Sequence, residues 1–130
     1  MKTKTLLFIW LLPFLVISQF KTGEDITIST PQNDDVYLTG KDISIDAMVK
    51  GDLVAAGSYI TVNDSITQDL IVVGGEIIVK GYVADDIRMA GGKLTIDSEV
   101  GDDVIVAGGE LTITKDAVIN GNLITVGGKT

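Results

Sequence analysis

The chain has 130 residues, 45% of them apolar, with 18 acids against 10 bases, no Cys, no His, 15 Gly and 2 Pro. That length fits one small domain, and the missing Cys and His remove thiol and imidazole nucleophiles, the usual zinc donors and disulfides. A net charge of −8 with a single Arg argues against a nucleic-acid partner, whose affinity rests on neutralised phosphates.

The first element is an export signal. Met1, Lys2 and Lys4 make a basic start, an apolar run extends from Leu6 to Ile17 with Pro13 inside it, and Val16-Ile17-Ser18 places compact residues where a signal peptidase reads. The pattern predicts a signal peptide over 1–18, cut before Gln19, and an exported domain over 19–130 in the periplasm, on the outer surface or in the medium. An apolar run of about 12 residues is shorter than the roughly 20 a bilayer core needs, which argues against a membrane anchor over 6–17. Cleavage removes two bases and no acids, so the mature charge becomes −10. Its aromatics are then Phe20, Tyr37, Tyr59 and Tyr82, too few to line a ligand groove.

A repeat follows. Asp35, Asp52, Asp69, Asp86 and Asp103 recur every 17 residues, and Asn122 comes after 19 because the 114–120 stretch carries two extra residues. Glycine keeps step five places later at Gly40, Gly57, Gly74, Gly91, Gly108 and Gly127, with Gly23 one unit earlier. Apolar columns run alongside: Val36, Leu53, Leu70, Ile87, Val104 and Leu123; then Ile26, Ile43, Ile60, Ile77, Leu94 and Leu111; then Ile28, Ile45, Val62, Val79, Ile96 and Ile113. The last two columns lie two residues apart with Thr27, Ser44, Thr61, Thr95 and Thr112 between them, the alternation of a strand. Val49, Ile66, Val83 and Val100 supply a further wall, and helical periodicity is absent.

A 17-residue unit is too short for a helical crossover, and one such strand cannot bury its own apolar side. Stacking the units as coils of a single-stranded parallel β-helix, an all-β solenoid, meets both constraints. About six coils spaced by about 4.8 Å make a rod roughly 30 Å long. The glycine column then marks a corner that needs either positive φ or a close backbone approach. An antiparallel sandwich of Gly-Gly hairpins is the competing architecture, and the strict spacing weighs against it.

Gly-Asp-Leu-Val-Ala-Ala-Gly at 51–57, Asp-Leu-Ile-Val-Val-Gly-Gly at 69–75 and Asp-Val-Ile-Val-Ala-Gly-Gly at 103–109, each followed by an apolar strand, resemble the bactofilin-like, polymer-forming cytoskeletal family. The resemblance covers about residues 23–130. It implies a right-handed parallel β-helix that binds neither nucleotide nor metal and whose rods join end to end into filaments without polarity. Bactofilins proper are cytoplasmic, whereas the amino-terminal segment here implies export.

The acidic doublets Asp34-Asp35, Asp85-Asp86 and Asp102-Asp103 suggest a cation, and Asp85, Asp86, Asp102 and Asp103 are the metal candidates. Turn capping is the stronger expectation, because Asp bonds nearby amides and the nonapeptide of calcium-binding solenoids is absent. Two residues past each glycine, Glu76, Lys93, Glu110 and Lys129 alternate in sign and predict an opposite-charge ladder. Tyr37, Val54, Ile71, Arg88, Ile105 and Ile124 are expected to point outward as an apolar stripe that invites lateral association.

The even intervals leave no loop to wall a substrate cleft, so neither an enzyme, a cofactor nor a small-molecule substrate is expected. At the far end Leu123-Ile124-Thr125-Val126 is expected to be an unpaired edge over an open apolar core, whereas Pro31 guards the first coil against strand addition. The expected function is therefore an exported, non-catalytic scaffold forming homo-oligomers or filaments through its terminal coils, chiefly 103–130. The alternative is a surface module that offers Thr61, Thr95 and Thr112 to a glycan or a cell-envelope partner, and a further possibility is that the sequence is part of a longer chain whose coils cap the end.

Overall fold

Alternating β-branched and aliphatic residues form seven principal strands in the computed structural model, which describes residues 19–129. The expected signal peptide lies outside the described residues. The strands are β1 (Gln19–Ile28), β2 (Val36–Ile45), β3 (Leu53–Val62), β4 (Leu70–Val79), β5 (Ile87–Ile96), β7 (Val104–Ile113) and β9 (Leu123–Lys129), with short β6 (Glu99–Val100) and β8 (Val118–Ile119) between them. They pair in parallel in the order β1-β2-β3-β4-β5-β7-β9, each paired residue facing its counterpart one repeat away. This is a β-solenoid of about six turns.

Each long strand bends in its middle and so makes two walls. In β2, Val36 and Leu38 point inward before the bend and Ile43 and Ile45 after it, while Thr39 to Asp42 are exposed or half-buried around Gly40. The third wall is one residue wide for most of its length, a line of bridges from Gln32 through Val49, Ile66 and Val83 to Val100. There it widens into the β6–β8 pair, where Ile119 lies beside Val100 and prolongs the column. The two extra residues are taken up in a turn closed by the Ala117 N–H on the Thr114 carbonyl, 3.1 Å, so Leu123 still falls beside Val104 in register. The core holds the four predicted columns apart from Leu123, together with Leu38, Ala55, Val72, Met89 and Val106, which flank the outward Tyr37 column on its other side and alternate in step with the Val36 column.

The glycine corner is set by proximity. A Cβ on Gly40 would lie 2.5 Å from the carbonyl oxygen of Gly23, and one on Gly74 the same distance from that of Gly57. Of the corner glycines only Gly127, at φ 118°, has positive φ. Side chains are excluded because each coil seats its corner directly on the carbonyl of the coil before, and the left-handed alternative is not needed there.

Candidate functional site

Among the described residues the candidate sites are surfaces of the rod: the aspartate corner, the outward columns and the final coil.

The aspartates form a hydrogen-bonded ladder between coils. Asp35 Oδ1 accepts the Asp52 N–H at 2.7 Å, Asp52 Oδ1 that of Asp69 at 2.9 Å, Asp69 Oδ1 that of Asp86 at 3.0 Å, Asp86 Oδ1 that of Asp103 at 3.0 Å, and Asp103 Oδ1 that of Asn122 at 2.8 Å. Capping was the stronger expectation, but the amide capped belongs to the next coil. Only the first rung is local: the Asp35 N–H donates to Asp34 Oδ1 at 2.8 Å. A repeat of 17 brings each carboxylate under an equivalent amide, so one residue type satisfies a corner donor in every coil.

Of the four metal candidates, Asp86, Asp102 and Asp103 offer carboxylate oxygens within 4.8 Å of one another, and Asp85 stands outside the group. The negative charge of Asp103, followed by partial desolvation and the charges of Asp86 and Asp85, holds the Asp102 carboxyl above the usual carboxylate range. One oxygen each of Asp86 and Asp103 is already engaged by the ladder. On the opposite corner, the Asn63 amide and the Ser44 hydroxyl donate to Asp46 Oδ1, both at 2.8 Å, and hold that carboxyl below its usual value.

The expected opposite-charge ladder is not made. Glu76, Lys93 and Glu110 are neighbours in register, yet the ion pair found among the described residues is Arg88 with Asp86, 3.6 Å. Side chains at an exposed corner splay into water, where a pair gains little over separate hydration. The hydroxyl column does face outward, but Ile78 sits between Thr61 and Thr95 and divides the strip proposed for a glycan.

The last coil is where the predicted edge lies. Leu123 continues the first core column and is 42% exposed, whereas Leu53, Leu70, Ile87 and Val104 in the same column are fully buried. Thr125 takes the place held by Val106 one coil earlier. Ile124 and Val126 belong to outward columns, beside Ile105 and Ala107, so of the four edge residues Leu123 and Thr125 face the core line and the other two face solvent. Parity along the strand, counted from Leu123, is the signal that separates them. β9 pairs with β7 on one side, and its other edge carries no partner among the described residues.

Comparison with family models, with curated proteins and with solved structures returned no match to this chain. No helix among the described residues is long and apolar enough to cross a membrane.

Proposed function

We propose that this protein is a non-catalytic structural module that self-associates end to end through its terminal coils, as its resemblance to the bactofilin-like polymer-forming proteins implies, and that it is exported by its amino-terminal segment. The observation that carries the reading is the strict coil-to-coil register, with Leu53, Leu70, Ile87, Val104 and Leu123 falling in one column. Every coil here presents to the next the same pattern of core residues, corner glycine and corner aspartate, so a coil of a second copy is matched to a coil of the first. An unpaired strand edge over apolar side chains recruits another strand.

The test is sedimentation of residues 19–130 at tens of micromolar, with negative-stain microscopy of whatever exceeds a monomer. Rods or end-to-end oligomers are expected, together with their loss in Leu123→Lys, whose far-UV spectrum stays that of a β-protein. A wild-type chain that sediments only as a monomer would sink the reading.

A further inference from the structure

Two shallow hollows lie past the glycine corner, and a single residue belongs to both. One takes in Lys41, Ser58, Gly75, Glu76, Gly92 and Lys93. The other takes in Asp25, Thr27, Asp42, Ser44 and Thr61. Tyr59 lines each of them. In register along the rod its column reads Asp25, Asp42, Tyr59, Glu76 and Lys93, so a ring that is 55% exposed stands in a line of charges. An exposed ring alone is ordinary. A ring shared by two adjoining concavities offers an apolar surface to whatever lies along them.

The charged groups of the lining are unpaired. Among the described residues neither Lys41 nor Lys93 forms an ion pair, and neither do Asp25, Asp42 and Glu76. Carboxylates only accept hydrogen bonds and ammonium groups only donate them, so a ligand that engages both kinds must itself carry donors and acceptors side by side. Sugar hydroxyls do. An anion would face three carboxylates on a chain of net charge −8, and a cation would set Lys41 and Lys93 against itself. The floor of the first hollow is also bare. Lys41 and Ser58 carry side chains at the position after the corner glycine, whereas Gly75 and Gly92 carry none, although a Cβ there would stand 3.0 and 3.1 Å from the nearest carbonyl oxygen, against 2.5 Å at Gly74. Backbone without side chains beside an aromatic ring lets a ligand come close.

We infer that the two hollows form one subsite for a neutral oligosaccharide, its sugar rings crossing Tyr59 and its hydroxyls shared between the Asp42 and Glu76 carboxylates and the Lys41 and Lys93 ammonium groups. From the Asp25 coil to the Lys93 coil are four spacings of about 4.8 Å, about 19 Å in all, a length for several linked sugar rings and not for one. The Thr27 and Thr61 hydroxyls border the same path on the amino-terminal side of Ile78, the residue that divides the longer hydroxyl strip. The subsite lies between residues 25 and 93, apart from the terminal coil, and is independent of the end-to-end reading.

Native-gel affinity electrophoresis of the protein, with glucomannan, hydroxyethyl cellulose or arabinoxylan cast in the gel, tests it. The expected result is retardation of the wild type by at least one of these neutral polysaccharides, binding weaker by about tenfold or more in Tyr59→Ala, the scale of losing an aromatic anchor, and binding largely retained in Tyr59→Phe. Tyr82→Ala, at an exposed tyrosine that lines neither hollow, is expected to bind like the wild type. A wild type retarded by none of the three, Tyr59→Ala that binds as tightly as the wild type, or an equal loss in Tyr82→Ala overturns the subsite. Stronger retardation by polygalacturonate than by any neutral polysaccharide overturns it in favour of an acidic ligand.

Discussion

Replacing Gly57 with Ala tests the stacking at the corner. The added Cβ would sit 2.6 Å from the Gly40 carbonyl oxygen and 3.1 Å from Ile43 Cδ1. A carbon–oxygen contact settles near 3.3 Å, so two coils spaced by about 4.8 Å must part locally by about 0.7 Å. Overpacking of this kind costs about 1–3 kcal/mol, and in a solenoid it falls on one coil-to-coil interface that no other contact replaces. At about 4–5 °C per kcal/mol for a domain of this size, the melting temperature drops by about 4–15 °C. Gly23→Ala is the internal control, since among the described residues its Cβ meets nothing nearer than Ile26 Cγ1 at 3.9 Å. Its melting temperature should stay within about 2 °C of wild type, the range of an unremarkable surface change. Thermal melts followed by far-UV circular dichroism, at one protein concentration because assembly itself raises the midpoint, decide the matter. Equal losses in the two variants, or none in Gly57→Ala, would refute the argument from proximity.

Two further outcomes follow from the aspartate corner. Asp69→Ala leaves the Asp86 N–H without its acceptor and is expected to cost about 1–2 kcal/mol, read as a lower urea midpoint, while Asp69→Asn retains an acceptor oxygen and most of the stability. Equal loss in both variants would show that the ladder bond contributes nothing. Asp102→Asn is expected to raise the melting temperature at pH 7 and to make little difference at pH 3. The folded state holds the Asp102 proton more tightly than the unfolded chain does, so the benefit of protonation is complete below about 3.8 and is lost as pH rises through the higher folded value. Melts at the two pH values check it, and a gain of the same size at both contradicts the repulsion assigned to Asp103.

The period of 17 made the solenoid legible, because residues such as Leu53, Leu70 and Ile87 can share a buried column only if successive units stack in register. The reasons behind individual columns were less accessible. Glycine at the corner fits both a positive φ and a close approach, and only the coordinates distinguish them: Gly40 is excluded from bearing a side chain by a carbonyl 17 positions earlier. The carboxylate of Asp69 has amides of its own turn within sequence reach, so a local cap was the simpler expectation, and its actual donor in Asp86 depends on the offset between coils. Glu76 and Lys93 show the reverse case, where register was right and contact did not follow because nothing holds either head group out of water. Leu123 to Val126 are legible as one strand edge, and parity within it sets Val126 outward beside Ala107.

The aspartate ladder also gives the rod a direction. Every carboxylate reaches toward the carboxy-terminal neighbour and none reaches back, so the rungs are asymmetric like links of a chain with hook and eye. The rung at Asn122 has its N–H taken by Asp103, and its side-chain oxygen stands at the position that the carboxylates hold in the other rungs. At the other end of the ladder the Asp35 N–H is occupied by Asp34 within its own turn. The two faces of the stack thus differ in hydrogen-bonding chemistry even where their apolar columns match. A joint that brings the Asn122 side alike to alike and one that sets it against the Asp35 side are therefore chemically distinct connections.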